Sequence, residues 1–162
     1  MLPSIKSILL ATDLSDNATE AFKHAVMLSR TDNAKIYLLH VIGEVDTSVR
    51  TYVAAVMGEG NLAQLETVHE ETARENIRKV IDDFTQKELA DNPEDFKRIA
   101  GIEIEHGRPE AKIVETADKL DVDLIVMATH SKGAIEHTFL GSVTEKVLRI
   151  TKRPVYVIPL PD

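Results

Sequence analysis

A chain of 162 residues with 27 acidic and 19 basic side chains has a formal net charge of -8 and an isoelectric point near 5.2, so it lacks the broad positive field that draws proteins to DNA, RNA or anionic membranes. The absence of cysteine excludes disulfide frameworks, thiolate nucleophiles and cysteine-held metals, while 43% hydrophobic residues without any run of about 18 apolar positions excludes both disorder and a membrane-spanning helix. The length predicts one domain over 1–162, and Met1-Leu2-Pro3-Ser4-Ile5-Lys6 leads into an apolar segment too short for a secretory leader, which predicts a cytoplasmic protein.

The first predicted element is a strand at Ile8-Leu9-Leu10-Ala11, apolar at every position and closed by Thr12-Asp13, as expected for a parallel strand covered on both faces. A helix follows. Asn17 with Glu20 three residues on is an N-terminal capping signature, and Ala18, Ala21, Phe22, Ala25 and Leu28 line one face. A second continuous apolar strand spans Ile36-Tyr37-Leu38-Leu39-His40-Val41-Ile42, and the intervening helix makes the two strands parallel neighbours.

Gly43 to Gly60 carries an apolar run, Tyr52 to Met57, without a sustained period, and is expected to be a partly helical loop serving as a lid, a dimer contact or a passive excursion. Leu62, Leu65, Ala73, Ile77, Val80, Ile81 and Phe84 then mark a long amphipathic helix with a charged outer face. Asp91-Asn92-Pro93-Glu94-Asp95 reads as a polar surface turn.

Ile102-Glu103-Ile104-Glu105-His106 alternates apolar and polar, the pattern of a half-covered strand near a sheet edge. Gly107 and Pro109 turn the chain into a helix with proline at its first position and Ile113, Val114, Ala117 and Leu120 facing inward. Leu124 to Met127 is a fourth strand, Ser142 to Arg149 a helix, and Pro154 to Ile158 a fifth strand. Strands alternating with helices throughout define a doubly wound, Rossmann-like α/β domain with a five-stranded parallel sheet and helices on both faces.

Ligands of such sheets bind beyond the carboxyl ends of the strands, where the crossovers change direction. Asp13, Val41 and the loop Ala128-Thr129-His130-Ser131-Lys132-Gly133 all belong to that edge, and the helix opened by Gly141-Ser142-Val143 can point there as well. A small-residue loop before a helix N-terminus offers backbone N–H groups and a positive dipole end to an anion. Ser142-Val143-Thr144-Glu145 is also a capping box, which gives Ser142 an independent task as the N-cap. An aspartate at a strand end has two readings, a ligand for ribose or a cation, and a cap for the next turn.

Several chemistries are missing. His69-Glu70-Glu71-Thr72-Ala73 lacks the second histidine of a zinc-protease helix, and the chain has no Walker-type phosphate loop, no serine-hydrolase elbow and no G-x-G-x-x-G after the first strand. A phosphoacceptor role for Asp13 would require a further acidic residue at the first strand's end, where Leu14 stands.

With these residues the chain resembles the universal stress protein family: Ile8-Leu9-Leu10-Ala11-Thr12-Asp13-Leu14-Ser15, Leu38-Leu39-His40-Val41, Gly107-Arg108-Pro109 and the tail from Asp123 to Pro159 carry the likeness. In the nucleotide-binding branch of that family the signature is G-x2-G-x9-G-[ST], whose register here falls on Ala128, Ser131, Gly141 and Ser142. The resemblance implies an adenine nucleotide, ATP with Mg²⁺, with adenine near Val41, ribose near Asp13, and phosphates against Ala128, Ser131, Gly141, Ser142 and Val143, and with Thr12 and Thr129 among the nucleotide-binding residues. His130 and Lys132 would lie at the phosphate rim. It further implies a stress-response sensor or switch with at most slow ATP hydrolysis, and a homodimer formed through the last strand, Val155 to Ile158.

Ala128 and Ser131 replace two of the signature's glycines. A Cβ is costly where a glycine serves a positive φ or a close backbone approach, and cheap where it serves compactness alone. The chain is therefore either a nucleotide-binding stress protein or a dimeric interaction module of the same fold that no longer binds one.

Overall fold

The computed structural model describes residues 1–13, 18–43, 47–129 and 141–159. In chain order the elements are β1 (Ser7–Ala11), α1 (Ala18–Asp32), β2 (Lys35–Gly43), α2 (Thr47–Met57), α3 (Glu59–Glu88), a short 3-10 helix (Pro93–Arg98), β3 (Ile99–Gly107), α4 (Pro109–Lys119), β4 (Leu124–Ala128), α5 (Ser142–Ile150) and β5 (Val155–Ile158). Asn17, the expected cap of the first helix, lies outside the described residues.

Among the described residues five strands form one sheet in the order β3-β2-β1-β4-β5, every pairing parallel. The continuous apolar runs have a direct cause, because successive residues of the central strands enter different cores. Ile8, Leu10, Leu124 and Val126 pack on one face with Phe22 and Ala25 of α1 and Ile77, Ile81 and Phe84 of α3. Leu9, Ile125 and Met127 pack on the other with Ile113 and Ala117 of α4 and Val147 of α5. The Phe22 and Phe84 rings, 5.1 Å apart between centroids, lock α1 to α3. β3 and β5 are the two edges of the sheet, as the alternation in β3 predicted.

Two expectations need correction. Within the 43–60 segment, expected to be a partly helical loop, the described residues 47–57 form a complete helix, α2, packed on α3. Its period is hidden in the sequence because it buries little, with Tyr52 69% and Val56 66% exposed. The stretch from Asp91 to Asp95 is more than a surface turn, since Asp95 is only 5% exposed. One carboxylate oxygen of Asp95 accepts from Arg30 Nε at 2.9 Å and the other from Arg98 Nε at 2.8 Å, and Arg98 also reaches Asn33 Oδ1 at 2.9 Å. Hydrogen bonding from Arg30 is the main reason the Asp95 carboxyl sits below its usual range; burial opposes the shift and Arg98 adds to it.

The amino-terminal edge of the sheet is closed by polar bonds. The Lys6 and Ser7 amides donate to Asp123 Oδ2 at 2.7 and 3.1 Å, and Arg153 grips Asp118 at 2.9 Å, Asp121 at 3.2 Å and the Val122 carbonyl. That end of the sheet is spent on stability. The carboxyl ends, where chains of this topology place their chemistry, lie opposite.

Candidate functional site

The strand order reverses between β1 and β4: the chain leaves β1 toward β2 and β3, then returns across β1 to lay down β4 and β5. The crevice at such a reversal is bordered by the ends of β1 and β4 and by whatever follows them. Thr12 and Asp13 follow β1, Thr129 follows β4, and α5 starts beside Thr129.

Thr12 is held by its backbone. Its amide donates to the Leu39 carbonyl at 2.9 Å, one step beyond the last β1–β2 rung, Ala11 with Leu39. Its carbonyl accepts from His40 Nδ1 at 2.9 Å. Asp13, next in the chain, is exposed at the strand end. β2 continues to Gly43, past that last rung, so half-buried Val41 stands beyond the end of β1, on the sheet face that packs with α4 and α5.

On the other side of the reversal, Ala128 is the last residue of β4, in register with Ile158 of β5, and the Thr129 amide carries the pairing one step further to the Ile158 carbonyl at 3.0 Å. Ala128 has ordinary strand backbone, and its side chain packs at the border of the α1/α3 core. A glycine is therefore not required there for φ. The buried Thr144 hydroxyl, one turn into α5, reaches the Ala128 carbonyl at 3.4 Å and fastens the helix to the strand end.

Gly141 is the tightest point. Its φ is +60° and ψ 148°, a combination close to glycine-only backbone, and a Cβ built on it would lie 2.4 Å from the Thr129 carbonyl oxygen. This close approach sets the start of α5 against the end of β4. Gly141 is itself the N-cap, its carbonyl receiving the Glu145 amide at 3.1 Å. The expected capping box on Ser142 does not form: the N-cap is Gly141, which has no side chain to close one, Ser142 is the first residue of the helix, and the Glu145 carboxylate turns along the helix to Arg149 Nη2 at 2.6 Å. Freed from capping, the exposed Ser142 hydroxyl stands at the helix start, with half-buried Val143 packed toward the α4/α5 core. An anion at this end would meet the amides of Ser142 and Val143 and the positive end of the α5 dipole.

The structure thus brings Thr12, Asp13 and Val41 to one side of the strand ends and Ala128, Thr129, Gly141, Ser142 and Val143 to the other. His130, Ser131 and Lys132 lie outside the described residues. Sequence reasoning missed the roles of His40 and Thr144, whose bonds to the Thr12 and Ala128 carbonyls fix the two strand ends. The signal for His40 was present, since it is the one histidine in the apolar run of β2 from Ile36 to Ile42. Among the described residues no group of three or more His, Asp or Glu side chains is placed to hold a metal ion, and no helix is long and apolar enough to cross a membrane.

A five-stranded parallel sheet with this reversal and a glycine-led helix start beside it defines a Rossmann-like α/β protein. The chain belongs to the universal stress protein family, whose sequence profile matches residues 4–159. It is 33% identical over 156 residues to universal stress protein MJ0531 of Methanocaldococcus jannaschii, covering 96% of this chain and 83% of that one. It is 30% identical over 166 residues to universal stress protein MJ0577 of the same organism, covering 94% of each. The solved structure of MJ0577 superposes with a TM-score of 0.68 at 29% identity over 98% of both chains. A universal stress protein solved in complex with cAMP shares the fold at 20% identity, with a TM-score of 0.57 over 97% of this chain and 98% of that one.

Proposed function

We propose that this protein is a cytoplasmic stress-response sensor or switch that binds an adenine nucleotide, ATP with Mg²⁺, across the reversal between β1 and β4. The observation that carries the reading is Gly141. A residue with φ +60° and no room for a Cβ against Thr129 keeps the first amides of α5 at the sheet edge, as a phosphate cradle requires. Asp13 is at the right edge to accept hydrogen bonds from a ribose, and Val41 offers an apolar surface to adenine. Ala128, Thr129, Ser131, Ser142 and Val143 would border the phosphates, with His130 and Lys132 at their rim.

The donor set suits a nucleotide better than a free metal. Backbone amides and one exposed carboxylate do not form a cage, so Mg²⁺ would enter with the phosphates and take most of its ligands from their oxygens and from water. When bound, the cation would neutralise phosphate charge in a protein whose net charge is -8. No described side chain near the cradle has the placement of a general base or an arginine finger, which favours a switch set by occupancy over a fast hydrolase. β5 is a sheet edge with partly buried Val155, Tyr156 and Val157, and pairing with a second copy would cover its unsatisfied backbone, giving a homodimer.

Calorimetry with ATP and Mg²⁺ tests the reading. Micromolar binding, weakened at least tenfold by Gly141→Phe, is the expected result. No heat and no thermal shift at millimolar nucleotide would leave the chain as an interaction module of the same fold.

A further inference from the structure

We propose that His40 is a positioning residue for the bound adenosine: its imidazole clamps the end of β1 to β2 and so fixes where Asp13 stands relative to Val41. The inference rests on the nucleotide reading and adds to it a residue that does not touch the ligand.

The geometry is specific. Thr12 is tied to two consecutive residues of β2, by its amide to the Leu39 carbonyl and by its carbonyl to the His40 side chain, each at 2.9 Å. The first bond continues the sheet ladder. The second leaves the ladder's pattern, because the Thr12 carbonyl is received by a side chain beyond the last β1–β2 rung at Ala11. With both backbone groups of Thr12 held, the orientation of the following peptide is set, and that peptide carries Asp13. The residue after His40 is Val41. One imidazole therefore governs the spacing between the proposed ribose contact and the proposed adenine contact.

The chemistry of the bond also assigns the tautomer. A carbonyl oxygen only accepts, so Nδ1 carries the proton, and in the neutral ring Nε2 is left as the acceptor. Histidine in the middle of an apolar strand is disfavoured unless its polar atoms are used, and here Nδ1 is used on the segment that carries the proposed ribose contact. A clamp of this kind raises affinity by removing the disorder a ligand would otherwise have to freeze out.

The tautomer makes the test discriminating. An asparagine amide nitrogen falls where Nδ1 lies, a glutamine amide nitrogen falls nearer Nε2, and leucine fills the space without a donor. Affinity for ATP with Mg²⁺ and for adenosine is measured by calorimetry on wild type, His40→Asn, His40→Gln and His40→Leu, with amide hydrogen exchange at Asp13 followed in the free proteins. His40→Asn is expected to bind within about threefold of wild type. His40→Gln and His40→Leu should weaken both ligands about tenfold, the loss of one net hydrogen bond, and should speed exchange at Asp13. A purely structural role would make affinity follow melting temperature across all three variants, without rescue by asparagine, and would overturn the proposal. His40→Leu binding as tightly as wild type would overturn it alone, while a wild type that binds neither ligand would remove the nucleotide reading and the clamp together. Because His40→Asn and His40→Gln are equally polar, their difference decides the matter even if His40→Leu folds poorly.

Discussion

Gly141→Ala is the perturbation whose cost the structure defines best. Two penalties act on the same atom. At φ +60° and ψ 148° an L side chain enters a backbone region costing on the order of 1–3 kcal/mol. The new Cβ would also lie 2.4 Å from the Thr129 carbonyl oxygen, a backbone atom anchored through the neighbouring β4–β5 pairing. Relief requires α5 or the end of β4 to retreat by about 1 Å, at a price comparable with overpacking a core, roughly 1–3 kcal/mol. Partial relaxation makes the two less than additive, so the expected loss is about 3 kcal/mol, or about 6–12 °C in melting temperature for a chain of this size. The assay is thermal unfolding followed by circular dichroism at neutral pH. Gly43→Ala is the internal control, because its Cβ would meet nothing within 4 Å and its φ is not positive, and it should melt within about 1 °C of wild type. Equal melting temperatures for Gly141→Ala and Gly43→Ala would refute the claim that a tight glycine contact seats α5 on β4.

Other expectations follow from the same geometry. Gly60→Ala, in the first turn of α3 with open space around its Cβ, should stabilise the protein by about 0.5 kcal/mol in chemical denaturation. Val147→Ala removes a fully buried side chain that holds α5 in the second core, and should cost about 2 kcal/mol in the same assay. Asp95→Ala should cost about 2–3 kcal/mol at pH 7 by abolishing the bonds from Arg30 and Arg98. The folded-state pKa of Asp95 is lowered, so its contribution is complete above the ordinary carboxylate value and disappears as pH falls through the lower folded value. The gap between denaturation curves of wild type and Asp95→Ala should therefore begin to narrow as the pH falls below about 4, and a gap that stays constant to pH 2 would contradict the assignment.

The parts of the fold legible in the sequence were those with a single physical determinant. β1, β2 and β4 lie between two helical layers, so their residues are apolar on both faces and the runs are continuous. Pro109 marks the first turn of α4 because a missing N–H costs nothing there. What sequence patterns did not reveal depended on partners far along the chain. Asp95 lies in a stretch that reads as solvent-exposed, yet it is buried against Arg30, 65 residues earlier. Helix α2 lacks a period because Tyr52, Val56 and Met57 face outward, and amphipathicity is a signal only of burial. At the site, the four signature positions could be placed by register, but whether Ala128 needed to be glycine depended on backbone angles. The structure puts it in a strand, where alanine is at ease. The cap of α5 fell on Gly141 and not on Ser142 because the approach to Thr129 requires glycine just before the helix.

The most direct test of the account is where a nucleotide lands. Backbone amide shifts of isotopically labelled protein, followed by NMR during titration with ATP and Mg²⁺, should move for Asp13, Val41, Thr129, Ser142 and Val143 together, saturating at a common affinity. Among the described residues those of α2 and α3 should stay still. Saturable shifts centred on Arg50, Ala54, Leu62 and Glu66, which line the groove between α2 and α3, with Asp13 and Ser142 unmoved, would contradict it.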